Sequence, residues 1–246
     1  MMTQADVAGL VLPAKQDRSR MTRDRLLAAG RQLLNRGAFD TTSIGDIARK
    51  AGCSVGSFYQ RFPDKEAYFT LLVETVMADI AADAEQFVTA ESFSEASIER
   101  ALTDCVGYWV QTFRRYRGFL RTVIKSTLHA EDAWDPVRQM APVAVEPFIA
   151  SLAAKCGKSD NDSFYYRALA GFQIVVSVML NASLHRTVLL NLDSEELIGW
   201  ATEILRHCLF DDLPPVLLKH GLGIRPYKTN SRRKSPAPGS RRQPRK

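Results

Sequence analysis

The chain has 246 residues, 46% of them apolar and 24% charged, which suffices for one or two domains with a sizeable core and excludes disorder throughout. Four cysteines stand about fifty residues apart with no paired spacing and no histidine cluster beside them, which speaks against a disulfide framework or a zinc site and makes a reducing cytoplasm the expected compartment. Residues 1–65 carry 11 Lys/Arg against 6 Asp/Glu, residues 66–212 carry 12 against 21, and residues 213–246 carry 10 against none, so the two ends suit a polyanion and the middle does not.

The apolar periodicity is helical throughout, and no alternating run is long enough to suggest a sheet. The apolar run Val7–Leu12 is short and lacks a basic leader, so no signal peptide is expected. Leu26, Leu27, Gly30, Leu33 and Leu34 share one face of a helix predicted over 22–36, which Gly37 ends. Thr42 is the expected N-cap of a second helix carrying Ile44, Ile47, Ala48 and Ala51 on one face. Gly52 breaks that helix, Ser54 caps a third that reaches Phe62, and Asp64 caps a long fourth helix from Lys65 towards Ala90.

Further helices are predicted over 94–116, 118–130, 135–156, 161–183 and 194–210. Pro136, Pro142 and Pro147 are points where the 135–156 helix can kink or split. The apolar stretch 172–190 is interrupted by Gln173, Asn181, His185 and Arg186, so no membrane partner is expected. From Lys228 onward eight Lys/Arg and no acid stand among small and polar residues, a tail that cannot offset its ordering entropy by burial.

The most informative segment is 43–62, two short amphipathic helices joined by the tight turn Ala51-Gly52-Cys53-Ser54. The spacing turns Ile47, Ala48, Cys53, Phe58 and Phe62 inward and leaves Val55, Ser57, Tyr59, Gln60 and Arg61 outward or oblique. That outward set is free of acid. It offers hydroxyls, an amide and a guanidinium, the groups that reach phosphates and base edges in a major groove.

Several motifs surround it: Leu26-Leu27-x-x-Gly30, Gly37 with Phe39, Thr41-Thr42, Ile44-x-x-Ile47-Ala48-x-x-Ala51-Gly52, Ser54-x-Gly56-Ser57-Phe58-Tyr59-x-x-Phe62 and Asp64-Lys65-Glu66. In these, residues 22–69 resemble the DNA-binding domain of the tetracycline-repressor (TetR/AcrR) family of bacterial transcriptional regulators. The resemblance implies that Thr42, Ser57, Tyr59 and Lys65 contact phosphates and that Ser54 caps the recognition helix. Lys65 also stands at a helix N-terminus, where backbone N–H groups favour an anion. Gly56, without a side chain, permits close approach of a backbone. The chain departs from the common family pattern at Val55, where Lys or Arg is frequent, and at Arg61, where His is frequent. Val55 can touch a thymine methyl, Gln60 can pair with adenine, and Arg61 can meet a phosphate or a guanine edge.

The expected fold is all-α: a three-helix helix-turn-helix head followed by a larger helical body for ligand binding and dimerisation. The boundaries expected are a flexible arm over 1–19, the DNA-binding domain over 20–80, the body over 81–212 and a disordered basic tail over 213–246. In the body, Trp109, Phe113, His129, Trp134, Phe172 and Gln173 are the candidates to line an apolar effector site with a few polar groups. Ile174, Val175, Val178 and Met179, with Leu197, Ile198, Trp200, Ala201, Ile204, Leu205 and Cys208, make apolar faces too wide for burial within one chain. The resemblance places a two-fold four-helix interface there.

No Gly-rich phosphate loop, G-x-S-x-G or H-E-x-x-H is present, so neither an enzyme nor a cofactor or metal is expected. The expectation is a cytoplasmic, nucleoid-associated homodimeric repressor, bound to a palindromic operator on double-stranded DNA and released by a small, largely apolar effector. The alternatives are an effector-free DNA-organising protein and a soluble enzyme or carrier with an apolar pocket.

Overall fold

The computed structural model describes residues 15–127, 134–159, 161–185 and 190–211. Residues 1–14 of the expected flexible arm lie outside the described residues, its residues 15–19 belong to the first helix rather than to a flexible arm, and the basic tail lies entirely outside the described residues. Among the described residues the fold is all helix, without a strand. The head holds α1 (Lys15–Asn35), α2 (Ile44–Lys50) and α3 (Val55–Tyr59). The long helix α4 (Lys65–Thr89) leaves it. The body adds α5 (Glu91–Ser94), α6 (Ile98–Arg115), α7 (Arg117–Thr127), α8 (Asp135–Lys155), α9 (Asp162–Leu184) and α10 (Glu196–Phe210).

Local chemistry sets most helix ends. Gly37 closes α1 at φ +66°, with Gly37 N–H bonded to Leu34 O at 2.9 Å and Ala38 N–H to Leu33 O at 3.0 Å. Gly52 closes α2 in the same way at φ +63°, with Cys53 N–H on Ala48 O at 2.9 Å. Only glycine adopts this left-handed conformation without cost, so both turns are written into the sequence. At the N-termini, Ser54 accepts from Ser57 N–H, Asp64 from Ala67 N–H and Asn161 from Phe164 N–H.

Thr42 does not cap α2. Its hydroxyl donates back to Ala38 O at 2.6 Å, and Ser43 is the cap, accepting from Asp46 N–H at 3.1 Å. The helix predicted over 94–116 begins only at Ile98, because the short α5 ends at Ser94. Ser97 accepts from Arg100 N–H and starts α6 afresh, after buried Phe93 has anchored the short α5. Pro142 and Pro147 do not split α8, whose buried side chains Ala144, Val145, Phe148, Ile149 and Leu152 hold it together through both. α1 starts well before the predicted Thr22 because its opening residues carry no apolar face to read.

α4 runs along α8 as the most extensive helix pair, α9 packs on α10, α10 on α6, and α1 on α7. One apolar cluster therefore extends from Leu26 and Phe58 in the head, through Tyr68, Leu72 and Val76 of α4, to Phe148, Phe172 and Leu205 in the body. α9 is the one helix among the described residues long and apolar enough to cross a membrane. One face of it buries Phe164, Phe172, Val175 and Met179 against its neighbours.

Candidate functional site

The helix-turn-helix is built around Ile47, Ala48, Phe58 and Phe62, all buried, with Cys53 half-buried in the turn. Tyr68 packs edge to face on Phe58 and Phe62, which tilt against each other, with centroids 4.8–5.2 Å apart, an arrangement that favours these rings beyond their area alone. The Tyr68 hydroxyl donates to Leu26 O at 2.6 Å and ties α4 to α1. This rigid base presents α3 outward.

On α3 the exposed residues are those the spacing predicts. Val55 is 43% exposed and Tyr59 53% exposed, and Gln60, which caps the C-terminal end of the helix, is exposed as well. Ser57 is half-buried, its Oγ 3.0 Å from Ser54 Oγ. Ser54 has both roles the sequence implies for a cap, an accepting oxygen and an exposed position. A Cβ on Gly56 would meet nothing nearer than Ser54 Oγ at 3.8 Å, so no neighbour within the chain requires glycine there.

The flanking residues are more tightly engaged than their sequence positions suggest. Lys65 Nζ donates to Asp40 O at 3.0 Å and lies 5.0 Å from the centre of the Phe39 ring. Partial burial pulls its ammonium below the usual lysine range, against the opposing pull of Asp40 and Glu66. Arg61 Nη1 donates to Ser57 O at 2.6 Å, and its other nitrogens donate to Ser19. Thr42 is half-buried with its hydroxyl hydrogen already committed to Ala38.

Residues 26–70 match the sequence profile of bacterial regulatory proteins of the tetR family. Over these residues the head is similar to the tetR-family regulatory proteins. Solved structures extend the likeness in fold over the body. A TetR-family transcriptional regulator from Mesorhizobium loti aligns at 21% identity and TM-score 0.59, over 78% of this chain and 96% of its own. GusR from Salmonella enterica aligns at 17% identity and TM-score 0.56, over 76% and 95%. The regulator FadR from Bacillus subtilis, solved with stearoyl-CoA, aligns at 12% identity and TM-score 0.53, over 77% and 98%. No curated protein sequence matches the chain.

Below the TetR-type head, the body gathers part of the predicted effector set. Trp109 packs on Phe148 at 5.8 Å, and Phe148 reaches Phe172 at 6.2 Å. Phe113 is buried one turn beyond Trp109 on α6. Trp134 is half-buried at the start of α8 and packs against the same core. Gln173 is not brought to this set. It is exposed on α9, with its Nε2 3.4 Å from Ser177 Oγ. His129 lies outside the described residues. Phe148, which is not among the candidates, is the ring around which Phe87, Phe93, Tyr108, Trp109 and Phe172 collect. Trp109 is only 5% exposed, yet its Nε1 has no hydrogen-bond partner among the described residues. A buried indole N–H ordinarily has one.

Proposed function

We propose that this chain is a homodimeric, ligand-responsive transcriptional repressor that binds a palindromic operator. The observation that carries this reading is the acid-free face of α3, where Val55, Tyr59 and Gln60 project from a buried aromatic base. Val55 and Gln60 are placed to read base edges. Ser57 and Tyr59 are assigned to phosphates, with Thr42 and Lys65 at the rim and Ser54 capping the helix. We place the DNA-binding domain at 20–80 and the effector and dimerisation domain at 81–212.

Dimerisation is supported by the outer face of α9 and α10. Ile174 is 45% exposed and Trp200 60% exposed on adjacent helices that already pack on each other. A second copy covering this face by two-fold symmetry buries both and sets two recognition helices about 34–36 Å apart, one turn of DNA. The effector is assigned to the Trp109–Phe148–Phe172 cluster, with Phe113 and Trp134 beside it. A small, largely apolar molecule carrying one hydrogen-bond acceptor would satisfy the Trp109 N–H. Its preference for one tilt of α4 would change the spacing of the heads, and operator affinity would fall by the ratio of its affinities for the two states.

Selection of bound sequences from random duplex DNA by the full-length protein tests the reading. The expected product is a two-fold symmetric motif bound by a dimer. An asymmetric motif bound by a monomer, or no motif, overturns it.

A further inference from the structure

Arg61 lies two residues beyond α3, and its guanidinium is turned back on its own chain. Its Nη1 donates to Ser57 O at 2.6 Å. Its Nε and Nη2 donate to Ser19 O at 3.4 and 3.3 Å, and Nη2 also donates to Ser19 Oγ at 3.3 Å. All three guanidinium nitrogens are thus engaged within the chain. A bidentate fork towards guanine would have to give up these bonds.

The same contacts hold the start of α1 against the end of α3, across 42 positions of sequence. Among the residues whose burial is described, Leu26 is the first member of the core. Ser19, Arg20, Met21 and Arg23 are exposed. A helical turn with exposed side chains is marginal by itself in water, so what it touches matters. Residues 15–20 hold Lys15, Arg18 and Arg20 against Asp17 alone. Charge and continuity with the exposed face of α3 select one partner class, the phosphodiester backbone of the DNA on which α3 docks.

We infer that the opening turns of α1 are a second phosphate-contacting element of the DNA interface, and that Arg61 is the positioning residue that fixes them beside the recognition helix. This rests on the DNA-binding reading of the head. Arg20 supplies the exposed cation, on the flank of each half-site. Arg61 reads no base itself.

The test uses full-length protein, the duplex recovered by the wild-type selection, and a random duplex of equal length. Arg20→Ala should lower the slope of log affinity against log salt by about one per subunit, weaken both duplexes, and remove hydroxyl-radical protection of the phosphates outside the half-sites. Arg61→Ala should give the same losses with the selected motif unchanged. Arg61→Lys should match Arg61→Ala, because one ammonium keeps the charge but cannot bridge Ser19 and Ser57. The Arg20/Arg61 double variant should be no worse than Arg61→Ala alone.

An unchanged slope in Arg20→Ala overturns the inference. So does a relaxed motif in Arg61→Ala, full activity in Arg61→Lys, or additive losses in the double variant. Should Arg61→Ala fail to fold, the Arg20 slope and footprint decide alone. Failure of the wild-type selection to return any motif would instead strike the DNA-binding reading itself.

Discussion

Gly118, in the first turn of α7, lies so close to the end of α1 that a Cβ there would fall 2.0 Å from the Asn35 carbonyl oxygen. The carbonyl end of one helix meets the N–H end of another, a dipole arrangement that favours the contact. No flexible side chain can yield, because the nearest atoms are backbone. Gly118→Ala is therefore expected to push α1 and α7 apart at a cost of about 1–3 kcal/mol. Thermal unfolding should report the loss, and operator affinity should fall with it because the head changes its angle to the body. Unchanged values of both would show that the joint is soft.

Gly56 gives the opposite expectation. Nothing in the chain crowds it, and it sits in a helix, where alanine is favoured over glycine by roughly 0.5–1 kcal/mol. Gly56→Ala should leave stability unchanged or raised while weakening DNA binding, since the added methyl meets only the incoming duplex. Full DNA affinity in this variant would mean that α3 docks by another edge.

Trp200→Glu should dissociate the dimer without unfolding the subunit, because Trp200 already faces water in the single chain. Sedimentation should show a monomer with an unaltered helical circular-dichroism spectrum. Operator binding should collapse to that of one half-site. A dimer that survives the charge would place the interface elsewhere.

Tyr68→Phe removes the hydroxyl bond to Leu26 O and should cost about 1 kcal/mol near neutral pH. Burial holds the Tyr68 hydroxyl well above its ordinary value of 10.0. A raised folded-state value means that the associated stability is complete below pH 10 and is lost as pH rises above it. Denaturant titrations from pH 9 upward should show a shallower alkaline decline for Tyr68→Phe than for the parent.

Trp109→Phe keeps an aromatic ring and deletes the unpartnered donor. Effectors found by thermal-shift screening of the parent should lose affinity for this variant by the worth of one hydrogen bond, about 1 kcal/mol. Operator affinity without effector should stay the same. In the parent, effector and operator must weaken each other by one common factor. Equal effector affinity for parent and variant would remove Trp109 from the site.

What the sequence could disclose was set by range. Gly37, Gly52, Ser54 and Asp64 act on atoms within five residues, so the head and the start of α4 could be read from spacing and caps alone. Thr42 and Ser43 are neighbours with similar caps, and only the backbone geometry chooses Ser43. The ties of Arg61 to Ser19 and of Lys65 to Asp40 span 42 and 25 positions, beyond any local pattern. α9 is apolar around much of its circumference, so nothing in its spacing distinguishes the outward Gln173 from the inward Phe172.

The continuous core through α4 also bears on how such regulators can be recombined. Arg31 on α1 pairs with Asp79 and donates to Thr75 O at 3.2 Å, and Lys125 on α7 lies 4.0 Å from Asp40. A head transplanted onto another body at residue 65 would leave Arg31 without its acceptors and would need a glycine where α7 meets Asn35. Functional chimaeras should therefore exchange α4 and the α7 joint together with the head, so the smallest portable unit is larger than the part that touches DNA.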